Sequence, residues 1–298
     1  MNNNNLTSPL IQPKLSNKLG ILFLTFIVMI IAVGLMKGIL DVFIPDARVS
    51  FLVASVQQSV LAFVMPAWLM AFLCYTAPSR FLGISTPVAA REFVGVLIIM
   101  CIIMPAMNLI IDWNANISLP ESMSALEKTM RGWEDTAADM TAMILGDASL
   151  TGLISNLIVV GIITGFAEEC FFRAGIQKAL TTSGVNMHVA VWVVAFIFST
   201  FHFQFFGFVP RMLLGALFGY IYFSSDSLWV SASAHALNNS IVVVTAWLTS
   251  RGFLNFNIEL FGVEGSGALL WASASLVTTI VFVVLLWGKC FSAPKRFN

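Results

Sequence analysis

The chain has 298 residues, 58% hydrophobic and only 10% charged, with a formal net charge of +0 and a mean hydropathy of +0.90. Soluble domains carry about 25% charged residues, so this composition excludes a water-soluble globular fold and describes an all-α, polytopic membrane protein. The balanced charge leaves no basic patch for nucleic acid, and Cys74, Cys101, Cys170 and Cys290 form no C-x-x-C pair, so no nucleic-acid partner, disulfide or cysteine metal site is expected.

The polar tail 1–19 carries Lys14 and Lys18, is too long for a signal-peptide core and lacks a small-residue cleavage site, so it is expected to stay attached as a signal anchor. Crossing ~30 Å of hydrocarbon takes about 20 apolar residues. Eight stretches fit, at 20–43, 51–75, 92–111, 150–172, 189–206, 209–224, 227–248 and 267–288. They divide the chain into spans 1–3 over 20–112, a polar segment 113–149, a core of spans 4–7 over 150–248, and a loop, last span and basic tail over 249–298.

Loop cations favour both termini in the cytoplasm. Lys14, Lys18, Arg80, Arg91, Lys178, Lys289, Lys295 and Arg296 then lie inside, against Arg48, Lys128, Arg131, Arg211 and Arg251 outside. Segment 113–149 would be external. Ser118-Leu119-Pro120-Glu121 looks like a capping box, and Met123, Leu126, Met130, Trp133, Ala137, Met140 and Ile144 repeat every three or four residues. An amphipathic helix on the membrane surface, or lidding the bundle, is expected there, because so short a segment cannot bury its own core.

Ionisable residues interrupt spans four to seven. A charge at membrane depth costs at least ~2.5 kcal/mol, so it is expected to face a partner or a water-filled cavity. In Glu168-Glu169-x-x-x-Arg173, neighbouring residues point about 100° apart on a helix, whereas Glu169 and Arg173 share a face. The simplest division pairs Glu169 with Arg173 and leaves Glu168 in a cavity as a base or ligand; the alternative puts all three at a helix end marking the membrane surface. Phe198 lies one turn below His202 and can brace its imidazole. His235 and Asn239 share a face in mid-span, suited either to a substrate oxygen or to a helix-to-helix contact. Glu168 lies fourteen residues before Thr182 and His202 fifteen after Met187, so both stand about 21–22 Å up an antiparallel hairpin, level with each other. Gly215-x-x-x-Gly219 offers a close-packing face, within the bundle or between chains, which leaves the oligomeric state open.

Taken in order, Glu168-Glu169-x-x-x-Arg173, Phe198-x-x-x-His202, Gly215-x-x-x-Gly219 and Ser227-Leu228-Trp229 leading into His235-x-x-x-Asn239 resemble the motifs of the CPBP family over about residues 150–245. These are the CAAX-protease and bacteriocin-processing intramembrane endopeptidases. The resemblance implies hydrolysis of a peptide bond in a membrane-associated protein or peptide, prenylated or leader-bearing. Carried over by position, Glu168 activates the attacking water with His202 sharing that task, His235 and Asn239 stabilise the oxyanion, and Glu169 and Arg173 support the site, as does the Phe198 ring. Glu168, His202 and His235 also supply three zinc ligands with an open fourth position, while a Glu-activated water with no metal is equally compatible. With a metal, Asn239 or Glu169 would orient the imidazoles.

Two other classes compete. A proton-coupled transporter would use the same buried Glu, His and Arg, although no inverted repeat is visible. A catalytically idle immunity or regulatory partner would carry the motifs without using them.

Overall fold

The computed structural model describes residues 10–254, 261–263 and 267–292, with side chains as far as 285 in the last helix. The expectations for Lys289, Cys290, Lys295 and Arg296 lie outside the described side chains. Among the described residues the fold is helical and has no strand. Its helices are Leu15–Phe43 (α1), Ala47–Cys74 (α2), Pro78–Phe81 (α3), Ala90–Ala115 (α4), Ser124–Leu145 (α5), Leu150–Thr181 (α6), Met187–Thr200 (α7), Phe208–Ser225 (α8), Leu228–Ser250 (α9) and Ala268–Ser292 (α10).

Six of these, α1, α2, α4, α6, α8 and α10, are long and apolar enough to cross a membrane, and the chain is a multi-pass membrane protein. The other two expected spans differ from them in distinct ways. Helix α7 has only 14 residues, about 21 Å of rise. Helix α9 has 23, but Ser231, Ser233, His235, Asn238, Asn239 and Ser240 dilute its apolar character.

Short polar residues start the helices by satisfying backbone N–H groups that have no partner within the helix. Asp46 accepts from Val49 N at 2.9 Å, Ser149 from Gly152 N at 2.9 Å and Asn186 from His188 N at 2.9 Å. The α8–α9 corner turns in two residues through Asp226 at φ 51°, and Gly83 at φ 76° backs onto it. A Cβ on Gly83 would lie 2.8 Å from Asp226 O, so only glycine permits both that conformation and that approach.

Helix α6 is the axis of the bundle. Phe171, Phe172, Ala174 and Ile176 on it pack with Leu22 of α1, Ala67 and Met70 of α2, Phe198 of α7 and Tyr222 of α8. Small residues bring its neighbours close. A Cβ on Gly165 would stand 3.0 Å from Ala236 N of α9, and one on Gly161 2.6 Å from Ser240 Oγ. On α8, a Cβ on Gly215 would meet Phe198 Cδ1 at 3.1 Å and one on Gly219 would meet Gln177 Oε1 at 2.8 Å, so Gly215-x-x-x-Gly219 is used inside the bundle.

Three expectations are corrected by this packing. Lys18, read as a loop cation, is buried within α1, and its amine donates to Ala179 O at 3.1 Å and Thr182 Oγ1 at 3.0 Å, closing the end of α6. Lys178 is likewise inside a helix and pairs with Asp226 at 2.7 Å. The Ser118–Glu121 capping box does not form. Pro120 leads into a tight turn, Glu121–Met123, and Glu127 instead accepts from Leu119 N at 2.8 Å.

Helix α5 is amphipathic as its spacing predicts, yet it buries no residue, and Leu126, Trp133 and Met140 stay exposed along the apolar stripe. Its C-terminal end is held by Arg48 and Asn156, which both donate to Ile144 O at 3.0 Å.

Candidate active site

Glu168 and Glu169 sit in a short α-helical stretch of α6 between two π-helical ones, Leu157–Thr164 and Cys170–Gln177. A π turn bonds i to i+5 and disturbs the regular ladder, a feature common at functional sites. Here side chains serve the carbonyls: Val159 O accepts from Thr164 Oγ1 at 2.9 Å and Val160 O from Asn239 Nδ2 at 3.1 Å.

Glu169 is fully buried and pairs with Arg173, as the i, i+4 spacing predicts. Arg173 Nη1 lies 2.8 Å from Glu169 Oε1 without a hydrogen aligned on it, so the attraction there is Coulombic, while Nη2 donates to Gly215 O at 2.8 Å. The guanidinium is caged by aromatic faces, 4.7 Å from the Phe198 centroid, 5.6 Å from Phe218 and 6.0 Å from Phe172. A charge pair this deep owes its tolerance to such close neighbours, because losing one partner strands the other.

The same Glu169 oxygen accepts from His235 Nδ1 at 3.0 Å. A carboxylate can only accept, so Nδ1 carries the proton and Nε2 is turned toward Glu168, 3.8 Å from its Oε2. That gap is too long for a direct hydrogen bond and suits a bridging small molecule. His235 is stacked on Phe218 at 5.0 Å and meets the edge of Phe198 at 5.7 Å. Glu168 therefore occupies the open side of the cluster, with Oε2 buried and without a hydrogen-bond partner in the protein.

His202 lies just beyond the last residue of α7, in the turn leading to α8. Its Nδ1 donates to Phe198 O at 2.8 Å, since a carbonyl cannot donate, and its ring meets Phe198 at 4.9 Å. The charged and titratable side chains acting on it are Glu168, Arg211 and His235. Phe198 thus touches His202, His235 and Arg173 together. Beyond His202, Phe203 takes the left-handed conformation at φ 53°, rare for a bulky residue and strained by about 1–3 kcal/mol. Ser199 Oγ ties the turn to Phe208 O at 2.7 Å, and Arg211 ties it to Gln204 Oε1 at 2.7 Å.

Glu168, Glu169, Arg173, Phe198, His202 and His235 are thereby gathered into one cluster from three helices and a turn. Asn239 lies one turn along α9 from His235, with one amide hydrogen on Val160 O and its Oδ1 accepting from Asn238 at 3.4 Å. A largely apolar cavity of about 890 Å³ runs between α4, the end of α5 and α9, lined by Met100, Met104, Met107 and Ile241 and reaching Asn238. No group of three or more His, Cys, Asp or Glu side chains among the described residues is disposed to hold a metal ion. The proposed reaction is therefore written with the side chains and water alone.

Several residues at or near the cluster escaped the sequence reading. Gln177 donates to Gly219 O at 2.8 Å, repeating one turn later what Arg173 does with Gly215. Both pairs are four apart in sequence, a coincidence of spacing that could have revealed the ladder. Arg211, a loop cation by sequence, lies in α8 and bonds Gln204. Asn114 and Glu134 gave no signal.

Residues 150–241 match the family model described as Type II CAAX prenyl endopeptidase Rce1-like, a stretch that holds all the motifs above. No curated protein and no solved structure matches the chain.

Proposed function

We propose, for a chain whose residues 150–241 form a Rce1-like domain of the CPBP type, that it is an intramembrane endopeptidase working through Glu168, His202, His235 and Asn239. One observation carries this reading: Glu168 Oε2 is buried and unpartnered, 3.8 Å from His235 Nε2, in a cluster whose other charges are mutually engaged.

In the proposed reaction a water beside Glu168 attacks the peptide carbonyl, and Glu168 takes its proton as general base. His202, with Nδ1 committed to Phe198 O, turns Nε2 to the same water as a second acceptor. The developing oxyanion is met by His235, which Glu169 orients from the far side of the ring, and by the second amide hydrogen of Asn239. Collapse of the tetrahedral species breaks the C–N bond, and Glu168 returns its proton to the leaving amine. Atoms and charges balance with water as the only co-reactant. The apolar cavity beside α9 fits a substrate that arrives from the membrane.

The proposed topology has eight crossings, both termini inside and α5 outside. A reporter fused after Trp133 should then respond as external and one after Asn298 as cytoplasmic; the reverse would overturn it.

The activity test is cleavage of a quenched-fluorescent peptide panel, including prenylated peptides, by purified protein in nanodiscs. Loss of turnover in Glu168→Ala, His202→Ala and His235→Ala supports the reading, and insensitivity to a chelator supports the metal-free form. Equal cleavage by wild type and Glu168→Ala would sink it.

A further inference from the structure

His202 belongs to a turn, not a helix, and what fixes that turn comes from far away in the sequence. The turn begins at Phe201, and its backbone N–H groups precede the first turn of α8, where no intrahelical acceptor exists. Glu134 of α5 accepts from Phe206 N at 2.8 Å, placing a carboxylate at the positive end of α8. Asn114 of α4 accepts from Val209 N at 2.7 Å and donates to Phe205 O at 3.3 Å. Around these bonds the Arg131 guanidinium covers the Phe206 ring at 3.5 Å, while Trp133 meets Phe203 edge-on at 6.4 Å and Phe205 at 6.0 Å. Phe203, in its left-handed conformation, would relax if this side of the turn were released, and His202 is its immediate neighbour.

We infer that Glu134, supported by Asn114, is a positioning residue for His202: α5 holds the Phe201–Gly207 turn in the conformation that aims the imidazole at Glu168. This rests on the proposed role of His202 in hydrolysis. It gives the exposed helix a task, since α5 has no buried residue of its own yet turns Glu134, Trp133 and the face of Arg131 to a single turn, while the Arg131 N–H groups bond Ala115 O and Ile117 O. Glu134 and Glu168 are the two carboxylates that act on Arg211, the cation that in turn acts on His202 and binds Gln204, so the carboxylate that caps the turn also offsets its charge.

The experiment uses the full chain in nanodiscs and two readouts. Peptide turnover is measured for wild type, Glu134→Ala and Glu134→Gln. Ring spectra of 15N-histidine protein are recorded in parallel, because the chain has only three histidines and each can be followed. Glu134→Ala should lower kcat about 10- to 100-fold with KM changed less than about twofold, the size of effect produced by small misplacement of a reacting group. The His202 signals should lose their fixed Nδ1–H tautomer, while His235 and His188, which is bonded to Tyr220 at 3.0 Å, stay in place. Glu134→Gln keeps an oxygen acceptor for Phe206 N and should recover most of the rate. Unchanged His202 signals in Glu134→Ala would overturn the inference, as would equal movement of all three histidines, which would mean that α5 only stabilises the bundle. Should wild type cleave nothing, the endopeptidase reading fails while the ring spectra still decide the positioning.

Discussion

On the enclosed side of the cluster, Glu169 is in contact with both Arg173 and His235 under aromatic rings, and the two charged residues have no exposure. On the side toward the turn, Glu168 keeps an oxygen without a partner and His202 depends on a strained corner. Two adjacent glutamates therefore have opposite environments because one step along α6 turns a side chain by about 100°. The enclosed side is held by an ion pair and aromatic faces rather than by complete hydrogen bonding, since Glu169 Oε2 and Arg173 Nε and Nη1 make no hydrogen bond, whereas Glu168 has no cation of its own on the open side among the described residues.

The sharpest way to break this contrast is to exchange the roles by amide substitution. Glu168→Gln should cost about 100- to 10,000-fold in turnover, the range of a lost general base, and leave the thermal midpoint nearly unchanged. Glu169→Gln should move both, because His235 loses its orienting partner. Next in size is Arg173→Met, which strands Glu169 and should destabilise by about 3–5 kcal/mol in thermal or denaturant unfolding. The double variant Glu169→Gln/Arg173→Met should recover much of that loss; an additive loss would show that the pair is not coupled.

Packing gives a smaller effect. Gly165→Ala puts a methyl 3.0 Å from Ala236 N and should cost about 1–3 kcal/mol, whereas Gly34→Ala in α1, with nothing within 4 Å, should change stability by less than about 0.5 kcal/mol. The smallest effect belongs to the peripheral counterpart of the buried pair. Asp147 lies 3.3 Å from Arg48, and hydrogen bonds from the Ser149 hydroxyl and N–H, with lesser help from Arg48, hold its carboxyl below the usual carboxylate range. Its contribution is present above the unfolded pKa and is lost as pH falls through the lower folded value. Asp147→Asn should therefore flatten the acid limb of stability only slightly, by an amount that salt screens.

The same contrast explains what could be read from the sequence. The Glu169–Arg173 pair is an i, i+4 relation that helical geometry alone predicts, whereas Phe198 and His202 meet edge-on at the same spacing although His202 lies in the turn beyond α7. The π-helical stretches flanking Glu168 follow from tertiary packing and leave no periodic mark. Glu134 and Asn114 reach their acceptors across 72 and 95 residues, and nothing local to either reveals the bond. Lys18 and Lys178 mislead because a cation near a span end normally belongs to water, whereas the Lys18 amine finds a buried carbonyl and the buried Lys178 pairs with Asp226 at the α8–α9 corner. The polar middle of α9 was legible as chemistry at the cost of looking like a membrane span.

The Lys18 amine also sets a timetable. Its acceptors at Ala179 and Thr182 lie 161 and 164 residues further along the chain. At about 5–20 residues per second, roughly 8–30 s of synthesis separate the cation from the carbonyl it will cap. Through that interval α1 is in the bilayer with its amine still held by water at the membrane edge. The first helix of the chain can complete its seating only after α6 has been made.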